Sequence, residues 1–485
     1  MRKIFNWVLA ATLVCGASVF TSCSSDNDDN PAQEQAKKNR KEFVEHTRAT
    51  MKDLAENLNF GSWNAANNLN LYFNQYVLNN PEFNKTVLAA FMQKYQQSIK
   101  PVEEGSELAT MGYKMYGTVD FTEFKYRFTE NTDNTGFDVE EASNFEVILN
   151  GFNQFTQQVE SGIYKLTLKS VGSQSFKFVH ASSQKEGLAI VFIMPSEFQF
   201  AISDKLSGTW LDSFTGTFRN QVAVAAGHEY AQMSRDTWSA SGSVSSNFPA
   251  VKGGYDTSDT STLNFSIANK REDYTGDYSF SWEQNGRKMI DLTLKQGRDA
   301  EGGIANIDLS QFTSASSILD LFAAWMTTRT LDEAKITLLD DLTTTLSVSD
   351  MTKALELARA SASARRNYAD EATIDQYTQQ LNALIKAEMT CKGVGQTIPM
   401  RLTTQKFGVD YWTMPAFNFA DENGYVSLID LLDAESVAYG INIIDHAAEP
   451  MQQSIIVVRQ LLQYVQTLFG TYKQKQGEEA VSGSN

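Results

Sequence analysis

The stretch GDYSFSWEQNGRKMIDLTLK, Gly276 to Lys295, decides how the rest of the chain is read. Tyr278, Phe280 and Trp282 alternate with Ser279, Ser281 and Glu283, the period of two that sends successive side chains to opposite faces of a strand. Asn285-Gly286 follows, a pair that accepts the positive φ angles of a two-residue turn. The chain then runs back through Met289 to Leu294. The segment therefore predicts an antiparallel hairpin.

The same alternation recurs upstream, in FTEFKYRFTE (from Phe121), GIYKLTLKS (from Gly162), SFKFVH (from Ser175), EFQFAIS (from Glu197) and GTWLDSFTGTF (from Gly208). Roughly ten to twelve strands are expected between Gly112 and Gln296, with no crossover-length helix between most of them, so the sheet is expected to be antiparallel. QTIPMRLTTQKFGVDYWTMPAFNF, from Gln396 to Phe419, reads as two further strands that add to it.

Helical periodicity flanks these strands. Phe83, Val87, Leu88, Phe91 and Tyr95 recur at steps of three and four, with Asn80-Pro81 as a start signal. Ala354–Ala369 is rich in alanine and arginine, and Ile374, Tyr377, Leu381, Leu384 and Ile385 form an apolar stripe, so helix is expected from about Ser314 to Lys392. Ile455, Val458, Leu462, Val465 and Phe469 mark a last helical region between Leu428 and Tyr472. The expected class is α+β: a large antiparallel sheet of about ten to fourteen strands, with helices segregated at the N-terminus and in the C-terminal half. The boundaries read as 1–22 leader, 23–33 acidic tether, 34–108 helical, 109–310 β-rich, 311–392 helical, 393–425 short strands, 426–475 helical and 476–485 polar tail.

The leader has the parts of a secretory signal: Arg2 and Lys3, then an apolar stretch from Ile4 to Phe20, somewhat short for a bilayer span. Phe20-Thr21-Ser22-Cys23 ends it, and SSDNDD follows at once. This arrangement resembles the lipobox of bacterial outer-membrane lipoproteins, although Phe20 and Thr21 depart from the usual Leu-small pattern. The acidic run after the cysteine resembles the surface-export signal of Bacteroidota lipoproteins; as composition alone, it is a solvated spacer. The resemblance implies signal cleavage before Cys23, acylation of Cys23 and membrane attachment through that lipid. It implies an outer-membrane location facing the cell surface, with a periplasm-facing protein as the alternative.

Removing residues 1–22 takes away Arg2 and Lys3 and no acid, moving the formal charge from -17 to -19. A chain this acidic has no electrostatic footprint for nucleic acid. Of three cysteines, Cys15 falls in the leader and Cys23 is the one the lipoprotein resemblance implies is acylated, which leaves Cys391 without a disulfide partner. Seven Trp, 18 Tyr and 30 Phe supply ample core material.

Catalytic motifs are scarce. His228-Glu229 begins like a zinc-protease helix, but Gln232 stands where the second histidine must be. Asp445, His446 and Glu449 sit together near Pro450, which fits a solvated helix end as well as a ligand pair. Asp421, Asn423, Gly424, Ser427 and Asp430 fall near calcium-loop positions, yet Phe419 replaces the first ligand and the last is not glutamate. Ser182 and Lys185 have an S-x-x-K spacing between strands, and Cys391 with Lys392 is a solitary thiol. The sequence thus assigns no catalytic residue, no metal ligand and no cofactor. Trp210, Trp238, Trp282 and Trp412 lie in or beside strands and are the candidate ligand-binding residues, as sugar-stacking or apolar surfaces, or else as core. The expected function is non-catalytic binding of a glycan or a partner protein. The alternatives are a carrier of a lipid or other apolar ligand and a carboxylate-dependent hydrolase.

Overall fold

The structure, a computed structural model, describes residues 31–58, 81–123, 125–133, 136–153, 158–181, 186–206, 208–232, 235–247, 260–270, 275–297, 331–407, 409–419 and 424–427. The leader, Cys23, the Leu428–Tyr472 helical expectation and the polar tail lie outside the described residues. So do Ser182, Lys185, Asp421, Asn423, Asp430, Asp445, His446 and Glu449. The helices are α1 (Pro31–Asn57), α2 (Pro81–Ser98), α3 (Glu107–Thr110), α4 (Met351–Arg366) and α5 (Glu371–Leu384). None of them is long and apolar enough to cross a membrane. The α+β class holds, with helices at the N-terminus and in the C-terminal half.

The chain divides into two compact units, named here for their place in the sequence. The central unit spans Gly61–Glu272 with Ile456–Asn485, and the flanking unit spans Met1–Phe60 with Asp273–Ile455.

In the central unit, β1 (Lys100–Pro101), β2 (Met115–Asp120), β7 (Ser175–Ala181) and β8 (Leu188–Pro195) form a four-stranded sheet in the order β1-β2-β8-β7. A longer ladder is built from β3 (Tyr126–Glu130), β4 (Phe137–Glu141), β5 (Phe145–Asn153), β6 (Gln158–Ser170), β9 (Glu197–Leu206), β10 (Thr209–Ala223), β11 (Thr237–Asn247) and β12 (Thr260–Lys270). Its order is β12-β11-β10-β9-β6-β5-β3-β4. The sequence predicts antiparallel pairing throughout, and here it needs correction: β2 pairs β8 and β3 pairs β5 in parallel. The β2–β8 connection runs through intervening strands instead of a crossover helix, so the signal used to exclude parallel pairs was absent.

Helix α2 covers this unit with Phe83, Val87 and Tyr95, all buried as their spacing predicts. Phe83 meets Phe128 and Phe137 edge-on at 5.5 and 5.0 Å. The Tyr95 ring lies over Gly117, where an added Cβ would come within 2.3 Å of it. Phe200 lies in the same way over its cross-strand partner Gly216.

The flanking unit is an up-and-down meander. It runs through β13 (Thr275–Gln284), β14 (Arg287–Gln296), β15 (Leu331–Leu338), β16 (Leu342–Val348), β17 (Ile385–Cys391), β18 (Gln396–Phe407), β19 (Asp410–Phe417) and β20 (Val426–Ser427). The opening hairpin forms as read: Asn285 and Gly286 take positive φ, and Tyr278, Phe280 and Trp282 face Leu294, Leu292 and Ile290. The expectation of helix from Ser314 to Lys392 fails at Ile385–Cys391, which is β17, and at residues 331–348. The latter form the β15–β16 hairpin, with Leu331, Ala334, Ile336 and Leu338 buried on one strand and Leu342 and Val348 on the other. Its turn uses Leu339 and Asp340 at positive φ, with no Asn-Gly signature to reveal it.

Helices α4 and α5 form a helical hairpin between β16 and β17. Asp350 and Asp370 cap them, each carboxylate accepting a backbone N–H three residues on. Met351, Ala354, Leu357 and Leu381 pack with Leu331, Ala334 and Val348 into one core cluster.

Helix α1 runs across the turn end of this meander. Asp53 pairs with Arg287 beside the β13–β14 turn at 2.5 and 3.1 Å. His46 and Thr50 reach Asp341 at the β15–β16 turn. The Asn39 carbonyl accepts from Gln396 beside the β17–β18 turn at 3.1 Å. The dimensions agree: the helix positions from 39 to 53 span about 21 Å at 1.5 Å per residue. The four strand spacings from β14 to β18 span roughly 19 Å. Phe43, Thr47, Thr50, Met51 and Leu54 are the buried face of α1, and Phe43 meets Phe417 and Phe419 edge-on.

Candidate functional site

The flanking unit gathers His46, Asp341 and Cys391 at the middle of the α1 crossing. One ligand-type atom from each lies within 4.8 Å of the others. His46 comes from the helix, Asp341 from the hairpin turn and Cys391 from the last position of β17. His46 Nε2 lies 2.5 Å from Asp341 Oδ2, which also accepts from Thr50 Oγ1 at 3.2 Å. Asp341 Oδ1 accepts the Gly393 N–H at 2.8 Å. Burial alone would raise the Asp341 pKa, but the Gly393 N–H, His46 and Thr50 outweigh it and hold the carboxyl low.

The Cys391 residue is fully buried. Burial pushes its thiol up, opposed by backbone hydrogen bonds from Val394 and Gly393. Gly393 lets the imidazole lie close, because a Cβ there would come 2.5 Å from His46 Nε2. Sequence reasoning treated Cys391 as solitary and His46 as scattered. The partners are 295 residues apart for the His–Asp pair, so only the rarity of histidine and cysteine pointed to them.

The central unit holds a second histidine–carboxylate pair. His228 lies in a loop, not on a helix, and its Nδ1 is 2.8 Å from Glu107 Oε1. Glu107 Oε2 accepts the N–H groups of Glu229 and Tyr230, and Arg235 lies 3.6 Å from Oε1. Asp236 closes the loop, binding the Arg235 guanidinium at 2.8 and 3.1 Å and accepting the N–H groups of Ala225 and Gln232. Its burial would raise its pKa, yet Arg235 and the two N–H donors hold it down at about 2. Both carboxylates, Glu107 and Asp236, are supplied by protein donors, which makes the cluster a loop fastener.

The four tryptophans divide between the units, Trp210 and Trp238 in the central one and Trp282 and Trp412 in the flanking one. Trp282 is 4% exposed, so it is core and no surface platform. Trp412 is half-buried beneath the Arg365 guanidinium, 3.6 Å from its ring centre. Trp238 pairs with Val222 and Asn269 in the ladder, and its side chain lies outside the described residues. Trp210 is half-buried at the start of β10, with the ammonium groups of Lys165 and Lys205 at 4.7 and 5.7 Å from its ring centre.

Register explains the Trp210 setting. Trp210 is opposite Lys205, and Asp212 and Lys165 are both opposite Ser203, so these residues share one face. Beyond the bulge at Ser213, the same face continues through Thr215, Thr217 and Arg219 into Ser245, Ser243 and Ser241 of β11. The opposite face carries Leu166, Leu168, Phe198, Phe200 and Phe218. Phe198 and Phe200 stack on Phe218 at 5.1 and 5.5 Å.

Among the described residues, burial raises two carboxyls, Asp204 and Glu130. The first accepts from Ser213 and the second from the Asn150 N–H. They belong to β9 and β3, which are not neighbours in the ladder. No protein-family model, curated protein or solved structure matches this chain.

Proposed function

We propose that the protein is an outer-membrane lipoprotein, anchored through acylated Cys23 and facing the cell surface, whose body binds an acidic glycan without turning it over. The anchoring part rests on the leader and the SSDNDD run. The binding part rests on Trp210, a half-buried ring with two ammonium groups near it at the end of a hydroxyl-rich sheet face. An indole presents an apolar surface for a sugar ring, and lysines beside it suit a uronate or sulfate. The hydroxyls of Ser241, Ser243, Thr215 and Thr217 are of a kind that orients a polar ligand.

Titration of the purified protein against neutral and acidic oligosaccharides tests this. The acidic ones bind, binding weakens with salt, and Trp210→Ala costs at least about tenfold, in keeping with a stacked ring worth roughly 1–2 kcal/mol. A silent glycan panel, or unchanged binding by Trp210→Ala, overturns it and moves a partner protein to the front. Turnover of a bound glycan would favour the hydrolase reading instead. Protease treatment of intact cells tests the location: survival of the protein beside a periplasmic control would make it periplasm-facing.

A second reading, a carrier of an apolar ligand, draws on the half-buried stack of Phe198, Phe200 and Phe218 on the opposite face. Native mass spectrometry reads it directly through a co-purifying lipid.

A further inference from the structure

We propose that His46, Asp341 and Cys391 form a binding site for a borderline divalent transition metal, zinc by preference, which staples helix α1 to the turn end of the flanking sheet. Imidazole nitrogen, carboxylate oxygen and thiolate sulfur together are a zinc donor set. Bonds of about 2.0–2.3 Å in a tetrahedron place ligand atoms roughly 3.3–3.8 Å apart. The three atoms already lie within 4.8 Å of one another, and the His46–Asp341 contact of 2.5 Å need only open by a fraction of its length.

The ligands arrive on rigid supports. His46 is held by a helix whose neighbouring Phe43 and Thr50 are buried, Asp341 by a tight hairpin turn, and Cys391 by a strand end. Two of the three have outer partners of the kind that orient a metal ligand: Thr50 and the Gly393 N–H on Asp341, and the Gly393 and Val394 N–H groups on the Cys391 sulfur. Gly393 keeps the wall of the site free of a Cβ beside the imidazole.

Charge points the same way. Among the described residues, His46 is the sole ionic partner of the largely buried Asp341, since Lys392 pairs with Asp340. A cation at the centre would neutralise that carboxylate. On binding, Cys391 releases its proton to solvent as the metal–sulfur bond forms, and His46 ligates as neutral imidazole. The half-exposed side of His46 leaves the fourth position to water.

The test uses the full chain, stripped with chelator and titrated with Zn2+ and then with Co2+. The expected result is uptake of a single ion per chain, a cobalt–thiolate charge-transfer band, and loss of that band in Cys391→Ser. His46→Asn and Asp341→Asn each weaken zinc binding by at least about tenfold. Since His46 is half-exposed, His46→Asn carries the test should Cys391→Ser fail to fold. No thiolate band in the native chain overturns the site, as does a band that persists in Cys391→Ser through Cys15 or Cys23. Affinity unchanged in both of the other variants overturns it as well.

Discussion

Among the described residues two histidines meet a carboxylate, and the two pairs do opposite things with similar parts. His228 and Glu107 in the central unit are 2.8 Å apart, and His46 and Asp341 in the flanking unit are 2.5 Å apart. Both imidazoles are about two-fifths exposed over a mostly buried carboxylate. Around Glu107 stand Arg235 and two backbone N–H groups, and Asp236 holds the arginine in turn. Around Asp341 stand a hydroxyl, one backbone N–H and a buried thiol, with no arginine. A buried carboxylate supplied with a guanidinium is complete as it stands. One supplied with soft and neutral donors is suited to an added cation.

The contrast breaks most directly at Asp236. Asp236→Ala leaves the Ala225 and Gln232 N–H groups and the Arg235 guanidinium without their acceptor, and should destabilise the central unit by about 3 kcal/mol. Urea unfolding measures this. A loss below about 1 kcal/mol would mean the loop is held by Tyr230 and its apolar neighbours Leu108, Ala189 and Val191 instead.

Acid should find the same residue. The Asp236 carboxyl titrates at about 2 in the fold against an ordinary 3.8. A depressed acid contributes stability that is fully present above its unfolded pKa and is lost as pH falls through its folded one. Some 2 kcal/mol should therefore disappear between about pH 4 and pH 2. Asp236→Asn should flatten that part of the curve. His228→Ala should cost less, about 0.5–1 kcal/mol, because Glu107 keeps its two N–H donors and Arg235.

The two clusters were equally hidden in the sequence, and the reason is physical. Alternation and turn chemistry are local, so the Asn285-Gly286 hairpin and the buried face of α2 could be read from neighbouring residues. The β15–β16 hairpin was missed because Leu339-Asp340 carries no turn signature and an alanine-rich helix follows closely. The parallel β2–β8 pair and both histidine sites depend on residues that only the completed topology brings together. Glu107 and His228 are 121 apart, and His46 and Asp341 are 295 apart. Even the Trp candidates divide by register: the same alternation that buries Trp282 leaves Trp210 on the face of Lys205 and Lys165, and only strand pairing tells which face is which.

The smallest expected change in stability separates the clusters most cleanly. In Gly393→Ala the new Cβ would sit 2.5 Å from His46 Nε2, and the half-exposed imidazole can swing outward to make room. Because the displaced group is the far end of a surface side chain, unfolding should shift by less than about 1 kcal/mol. Metal binding should nonetheless fall by at least about tenfold, since the ring can no longer reach the centre shared with Asp341 and Cys391. The Asp236 acid transition should stay where it is in this variant. If Gly393→Ala instead bound zinc like the parent chain, His46 would not be a ligand, and its bond to Asp341 would be a fastener of the same kind as the one His228 makes to Glu107.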